Sequence, residues 1–429
     1  MRRNILKPID VIFLVLMAYL THITIYAWFY TYGKYSGSPE LQLKITVVIG
    51  LVLVWLLRLE KGEKDLLLAW RKNWVLAGFI VFALLSLIWT VTLVTTIYRA
   101  FLTLFVSFIA AYLGLRLSTR NLVIFLALTV GVFALASLFL GVFFPQLAMS
   151  FEGPYAGLWH GIFWHKIYLG ATMALGYVAY LVIIFSSREQ YGRIEKIFAA
   201  IMLVVCGALA ILSDSASGLI VFVIQTGLFI LVLSWLKWGH LVPRRAYWWV
   251  GGVLVLGGIF ILTNLKLFFG LFNRSATMTG RVPLWQYLLK TYIAERPFFG
   301  YGFGAFWHQK GMMQSVQAVV GWPYPVRVSD NGYMDILLGL GVVGLFLLLA
   351  VLAIGFWRAI KFALQGRDLT SFFPFFILIH VLFINLSLSY FFENEIFIWF
   401  LVVIILFMLP PTRVIPGGEA LPTAEKIFP

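Results

Sequence analysis

Long apolar runs separated by short polar, basic breaks dominate this chain. Runs long enough to cross a bilayer lie near residues 11–30, 43–57, 74–90, 94–115, 121–143, 167–185, 197–213, 216–236, 247–263, 332–357, 371–390 and 394–410. A crossing helix needs about 20 residues, with roughly 17 as the lower limit. The pattern therefore predicts an all-α, polytopic membrane protein of about twelve transmembrane helices, read as one integral membrane domain over residues 1–429. The very short break after residue 90 predicts a helical hairpin from the third and fourth spans. Two connections stand apart as motif-bearing loops: residues 144–166, and residues 264–331 between spans nine and ten. The second is about 68 residues long, and a connection of that length is usually functional. Within it, Val282 to Ala294 is apolar with helical spacing, and Pro283 sits where a helix can start.

Composition agrees with the pattern. Hydrophobic residues make up 62% of the 429 and charged residues 11%, against about half and a quarter in an average soluble domain. The net charge of +15 would suggest nucleic acid in a soluble protein, but its distribution argues otherwise. With the N-terminus inside, twenty-one of the 32 Lys and Arg fall in the segments on the inner side, at least two in every inner loop. That is the bias of cytoplasmic loops, so both termini are expected in the cytoplasm and no nucleic-acid partner is expected. The N-terminal run has no small-residue cleavage site and reads as a retained first helix. The single cysteine, Cys206, permits no disulfide within the chain and no cysteine-based metal site.

The other eleven cations carry the information. Lys34, Lys44 and Arg99 are scattered. Lys166, Lys266, Arg274, Arg281, Lys290, Arg296, Lys310 and Arg327 all fall in the two outer loops. The first loop runs Glu152-Gly153-Pro154-Tyr155 to Trp159-His160-Gly161-Ile162-Phe163-Trp164-His165-Lys166. A Gly-rich turn opening onto a helix offers free N–H groups to an anion, and Lys166 adds a cation at that helix start. The alternative is an aromatic belt with a snorkelling lysine. In the long loop, Thr279-Gly280-Arg281-Val282-Pro283-Leu284-Trp285 puts a guanidinium at a helix N-terminus, a natural phosphate clamp. Arg296-Pro297-Phe298-Phe299-Gly300-Tyr301-Gly302-Phe303-Gly304-Ala305-Phe306-Trp307 interleaves rings with glycine, as a sugar-binding wall does; tight turns with aromatic anchors read equally well. Ser329-Asp330-Asn331-Gly332-Tyr333-Met334-Asp335 places two carboxylates at the mouth of span ten, where Asp330 is either a general base or a helix cap. Ser213-Asp214-Ser215-Ala216-Ser217-Gly218 is a tight polar hairpin or a patch beside a headgroup. The acidic residues show no metal-ligand spacing, so no metal and no cofactor are expected.

Taken in order, these segments resemble the O-antigen ligase and O-antigen or exopolysaccharide polymerase superfamily, the exopolysaccharide polymerase type most closely, over roughly residues 80–410. His165–Gly170, Thr279–Trp285 and Gly300–Trp307 are the most specific pieces. The resemblance implies a glycosyltransferase type C-like helical fold. It implies a metal-independent enzyme of the bacterial inner membrane that takes a glycan from undecaprenyl pyrophosphate at the outer face. The acceptor is a second lipid-linked glycan in polymerases and lipid A-core in ligases, and a chain-length regulator is a conceivable partner. Arg281 matches the loop arginine expected to hold pyrophosphate, and Lys166 the basic position after the first outer loop; Arg296 joins them as a candidate. His165, Trp285, Tyr301, Trp307 and Asn331 are the candidate glycan contacts. The chain departs from the pattern at Asp330-Asn331, where many members have His-Asn, and at Ala216, where many ligases carry Arg. Both departures argue against a standard ligase and for a polymerase or a divergent branch, and make Asp330 the candidate base, with Glu152 or Glu393 as substitutes. A lipid-linked glycan flippase is the rival of another class, but it calls for ionisable residues at mid-span. His22 and His380 are the nearest to that description, and each is expected to hydrogen-bond to a neighbouring helix.

Overall fold

The structure is a computed structural model that describes residues 63–150, 156–163, 165–239, 281–320, 326–391 and 397–409. The predicted spans near 11–30, 43–57 and 247–263 lie outside these residues, as do both termini, His22, Lys34, Lys44, Glu152, Lys266, Arg274 and Glu393. The described chain is helical: α1 (Glu63–Lys72), α2 (Trp74–Leu85), α3 (Leu93–Arg116), α4 (Thr119–Phe143), α5 (Lys166–Phe185), α6 (Arg193–Leu212), α7 (Ala216–Trp238), α8 (Arg281–Leu288), α9 (Lys310–Val320), α10 (Gly332–Gly366), α11 (Phe373–Ile384) and α12 (Phe397–Met408). Six of them, α3 to α7 and α10, are long and apolar enough to cross a membrane. The protein is an integral membrane protein. The predicted third span, near 74–90, is α2, which meets the preceding α1 at an 89° bend, and the last two predicted spans are the short apolar helices α11 and α12. The count of twelve is thus an expectation that six crossing helices among the described residues do not establish.

Helix ends follow local chemistry. The Ser118 hydroxyl accepts from Asn121 N–H at 3.2 Å at the start of α4, and the Ser215 hydroxyl accepts from Gly218 N–H at 3.1 Å at the start of α7. Each satisfies one of the N–H groups that a helix start leaves unpaired. Helix α5 lies at the centre, packed on α4, α6 and α7, while α3 pairs with α12 and α2 with α10. Several polar groups inside the bundle are paired across helices. Tyr180 Oη donates to Ala127 O at 2.6 Å and Trp399 Nε1 to Ser107 Oγ at 2.8 Å. His380 Nδ1 lies 3.5 Å from Gln225 Oε1 across α11 and α7, the interhelical contact expected of it.

Two features position the loops. At the start of α5, a Cβ on Gly218 would meet the carbonyl carbon of Gly170 at 2.7 Å, so α5 and α7 cross backbone against backbone. Any side chain at either glycine would push the two helix starts apart. The second feature is a break in α10. Gly341 has φ 65° and ψ −165°, a conformation open essentially to glycine alone. A broken helix within an apolar bundle leaves carbonyl and N–H groups that must be satisfied by protein. The segment 297–302 satisfies them. Tyr301 N–H and Gly302 N–H donate to Leu338 O and Gly339 O at 2.8 and 2.9 Å, while Val342 N–H and Val343 N–H donate to Pro297 O and Phe298 O at 2.8 and 3.4 Å. The same segment is tied to the turn before α3 through Val91 N–H to Tyr301 O at 3.0 Å and Phe303 N–H to Ser86 Oγ at 3.0 Å. The Gly-aromatic run is therefore a wedge driven into the bundle.

Candidate functional site

The first half of the site is built where α5 and α7 begin. His165 precedes α5 in extended backbone, and its Nδ1 accepts from Ile167 N–H at 3.3 Å. The ring thereby caps the helix, which requires an unprotonated Nδ1. Lys166 follows and is buried. Its ammonium donates to Asp214 O at 2.8 Å and approaches Asp214 Oδ2 at 3.4 Å. The Gly170–Gly218 crossing brings Asp214 within that reach. Asp214 holds φ at 41°, a left-handed turn between two helices that Asp tolerates better than most residues.

The second half is built by α8 and the loop before α10. Arg281 and Trp285 are four residues apart and share one face of α8. Arg281 Nε donates to Asp330 Oδ2 at 3.0 Å, and Trp285 Nε1 donates to Ser329 O at 2.8 Å. Asp330 stands in left-handed backbone, φ 54°, which turns its side chain away from α10. The cap of α10 is Asn331: its Oδ1 accepts from Tyr333 and Met334 N–H at 3.0 and 3.1 Å. The alternative of Asp330 as a helix cap is thus excluded by geometry. Asp335, one turn inside α10, ties the loop down: its Oδ1 accepts from Trp307 Nε1 at 2.8 Å and from Ser329 N–H at 3.2 Å.

Electrostatics join the halves. The His165 ring is pushed down to about 4, first by burial and then by the positive charges of Lys166 and Arg281. A neutral imidazole thus lies in the field of both cations. With Nδ1 used by the cap, its Nε2 carries the proton and is a donor. The Nη groups of Arg281 and the Oδ1 of Asp330 have no partner among the described residues. The arrangement sets the Arg281 guanidinium, in a positive field shared with Lys166, beside a carboxylate with one oxygen open among the described residues.

Three of the expected contacts are placed otherwise. Tyr301 and Trp307 are 1% and 3% exposed. The Tyr301 hydroxyl donates to Tyr292 O and Glu295 Oε2, both at 3.1 Å, so neither ring offers a face to a sugar. The wedge's backbone work at the α10 break demands that burial. Arg296 lies 4.8 Å over the Tyr301 ring, at the far end of a continuous helical stretch from Arg281. Fifteen residues of helix separate the two by on the order of 20 Å, too far for both to clamp one pyrophosphate. Asn331 spends its carbonyl on the cap. Sequence reasoning missed Asp214 as the partner of Lys166 and Ser329 as the backbone acceptor of Trp285. The spacing of Gly170 and Gly218 from their helix starts is the signal that leads to the first. Among the described residues no three His, Cys, Asp or Glu side chains are gathered as a metal site would require.

A search of curated proteins finds no match. The family model described as O-Antigen ligase matches residues 199–349, which takes in most of α6, α7, Arg281, the wedge, Asp330 and the break in α10, and leaves out His165 and Lys166. That match spans about a third of the chain and makes this part of it similar to O-antigen ligases.

Proposed function

We propose that this protein is a metal-independent glycosyltransferase of the bacterial inner membrane that polymerises glycan carried on undecaprenyl pyrophosphate. The observation that carries the reading is the Arg281–Asp330 pair at 3.0 Å, with Lys166 and Arg281, from two loops far apart in sequence, both close enough for their charges to act on the His165 ring. Transfer from a glycosyl pyrophosphate makes two demands. Negative charge grows on the leaving pyrophosphate and is stabilised by donors already in place. The Nη groups of Arg281 meet that demand, with the charge of Lys166 adding to the positive field. The acceptor hydroxyl must be held in line with the breaking bond and lose its proton. The open Oδ1 of Asp330 takes that proton as the acceptor oxygen attacks the anomeric carbon and the pyrophosphate leaves with its bonding electrons. Oδ2 stays with Arg281, so base and clamp are held in a fixed mutual register.

The polymerase reading is favoured by Ala216, small and apolar in the first turn of α7 where many ligases place Arg, and by Asp330 in place of His. Arg281→Ala is expected to abolish product while protein level and folding are retained; full activity in that variant defeats the proposal. Product identity separates the two enzyme classes. High-mass ladders on the lipid carrier mean a polymerase, and modified lipid A-core means a ligase.

A further inference from the structure

The end of the bundle opposite the site holds a second cationic feature, at the elbow between α1 and α2. Helix α1 turns from α2 by 89°, so it lies across the bundle instead of along it. Its inner side packs Leu66, and Trp70 against Phe108 and Phe407 at ring distances of 4.7 and 5.0 Å. Its outer side exposes two leucines, Leu67 and Leu68, and one turn later two cations, Arg71 and Lys72. Trp74 follows at 71% exposure. A helix lying in the membrane plane with leucines, basic residues and a tryptophan on its open side is built for the headgroup boundary.

The elbow is held rigid by Arg358 of α10, which is 8% exposed. Its Nη1 donates to Asn73 Oδ1 at 2.7 Å and to Leu406 O at 2.8 Å, and its Nη2 donates to Lys72 O at 3.4 Å. Asn73 Nδ2 in turn donates to Ala69 O at 3.0 Å. Arg358 thus ties the ends of α1 and α12 together, and a small cavity between Lys72, Asn73, Trp74 and Arg358 opens at the elbow. Among the described residues none of Arg71, Lys72 and Arg358 has a carboxylate within ion-pair distance. Among the described residues the positive charge of the elbow is therefore without a carboxylate partner.

We propose that this elbow binds the phosphate of an anionic phospholipid, with Arg71 and Lys72 on the headgroup, Leu67 and Leu68 on its acyl chains, and Arg358 fixing the geometry. The full chain, purified in detergent and depleted of lipid, is titrated with phosphatidylglycerol or phosphatidylcholine, and retained lipid is read by native mass spectrometry. Phosphatidylglycerol is expected to be retained over phosphatidylcholine. In Arg71→Gln/Lys72→Gln its retention is expected to fall roughly 25-fold, about fivefold for each cation lost at a membrane surface. The charge-keeping Arg71→Lys/Lys72→Arg is expected to retain it. Equal retention of the two lipids, or undiminished retention in the glutamine variant, overturns the proposal. Inorganic phosphate is a separate arm: displacement of phosphatidylglycerol by millimolar phosphate would make free phosphate the ligand and overturn the lipid assignment.

Discussion

Asp330→Asn tests whether the carboxylate does chemistry or only holds Arg281. The structure sets the two magnitudes apart. The Arg281–Asp330 contact is a single hydrogen bond of 3.0 Å, with side-chain exposures of 14% and 26%. A charge-assisted bond is worth about 1.5–3 kcal/mol, and partial exposure with one contact places this one at the lower end. Asparagine keeps an acceptor oxygen, so loss of orientation alone costs at most about 1.5 kcal/mol, close to tenfold in rate. Removal of a general base costs about 10²- to 10⁴-fold. The assay is single-turnover transfer from a lipid pyrophosphate-linked oligosaccharide by purified protein, with product resolved by mass. A fall in rate of at least a hundredfold, with donor affinity nearly unchanged, is expected of Asp330→Asn. Combining Asp330→Asn with Arg281→Ala should then cost less than the sum of the two, as for residues that act as a unit. A variant that keeps a tenth of the rate or more refutes Asp330 as the base and leaves it as the residue that orients Arg281.

Three further outcomes are expected. Gly341→Ala would set a Cβ 2.3 Å from the Phe298 carbonyl and strain the backbone, expelling the wedge with its four hydrogen bonds. A loss of about 5 kcal/mol and faster proteolysis of the 297–305 segment should follow, and thermal unfolding in detergent measures the first. Asp335→Ala strips the acceptor from Trp307 Nε1 and Ser329 N–H, so a loss of about 2–3 kcal/mol and reduced transfer are expected; Asp335→Asn, which keeps Oδ1, should recover most of both. His165 gives a pH dependence of defined sign. Its folded value, about 4, is below the ordinary 6.5, so its contribution to stability is full above about 6.5 and is lost as pH falls toward 4, where protonation also breaks the α5 cap. His165→Asn, which can still cap, should flatten that part of a stability–pH profile and leave the range above pH 7 unchanged.

The sequence read the apolar architecture well because bilayer-length runs and basic loops are written along the chain. Span boundaries at α3, α4, α5, α6 and α7 differ from the observed helices by a few residues at most. Arg281 and Lys166 stand out in the sequence for a similar reason: each is a cation at a helix start in a loop of the opposite bias, and the structure places both at helix starts. The Gly-Tyr-Gly-Phe-Gly run was legible as a segment and misread as a surface. Glycines between aromatic residues suit a sugar wall and a buried wedge equally, and only the demand from another helix decides. That demand lay 40 residues on, in Gly339-Leu340-Gly341, where an apolar run holds a pair of glycines and a helix can break. Arg296 misled for a different reason. It is basic and in the right loop, but proximity in a list of loop cations ignores the length of the helix between two members.

The break in α10 explains why these motifs come as a set. Asp330 and Asn331 lie at its outer end, Gly341 ten residues further in, and the wedge joins that break to the helix carrying Arg281. Arg281 is held at one end by Asp330, and the stretch that follows it is anchored by Tyr301 and Trp307, whose burial excludes them from the sugar. The long loop is therefore seated in the membrane domain at two points, and the guanidinium is carried between them. On the function proposed above, a donor whose lipid approaches within the bilayer would meet cations whose positions are set by the bundle itself. The same logic accounts for Lys166, fixed by Asp214 through a glycine crossing of α5 on α7. Each cation expected to meet pyrophosphate is positioned by a backbone feature that tolerates little but glycine, so substitutions at Gly170, Gly218 and Gly341 should impair transfer even though none of them touches the substrate.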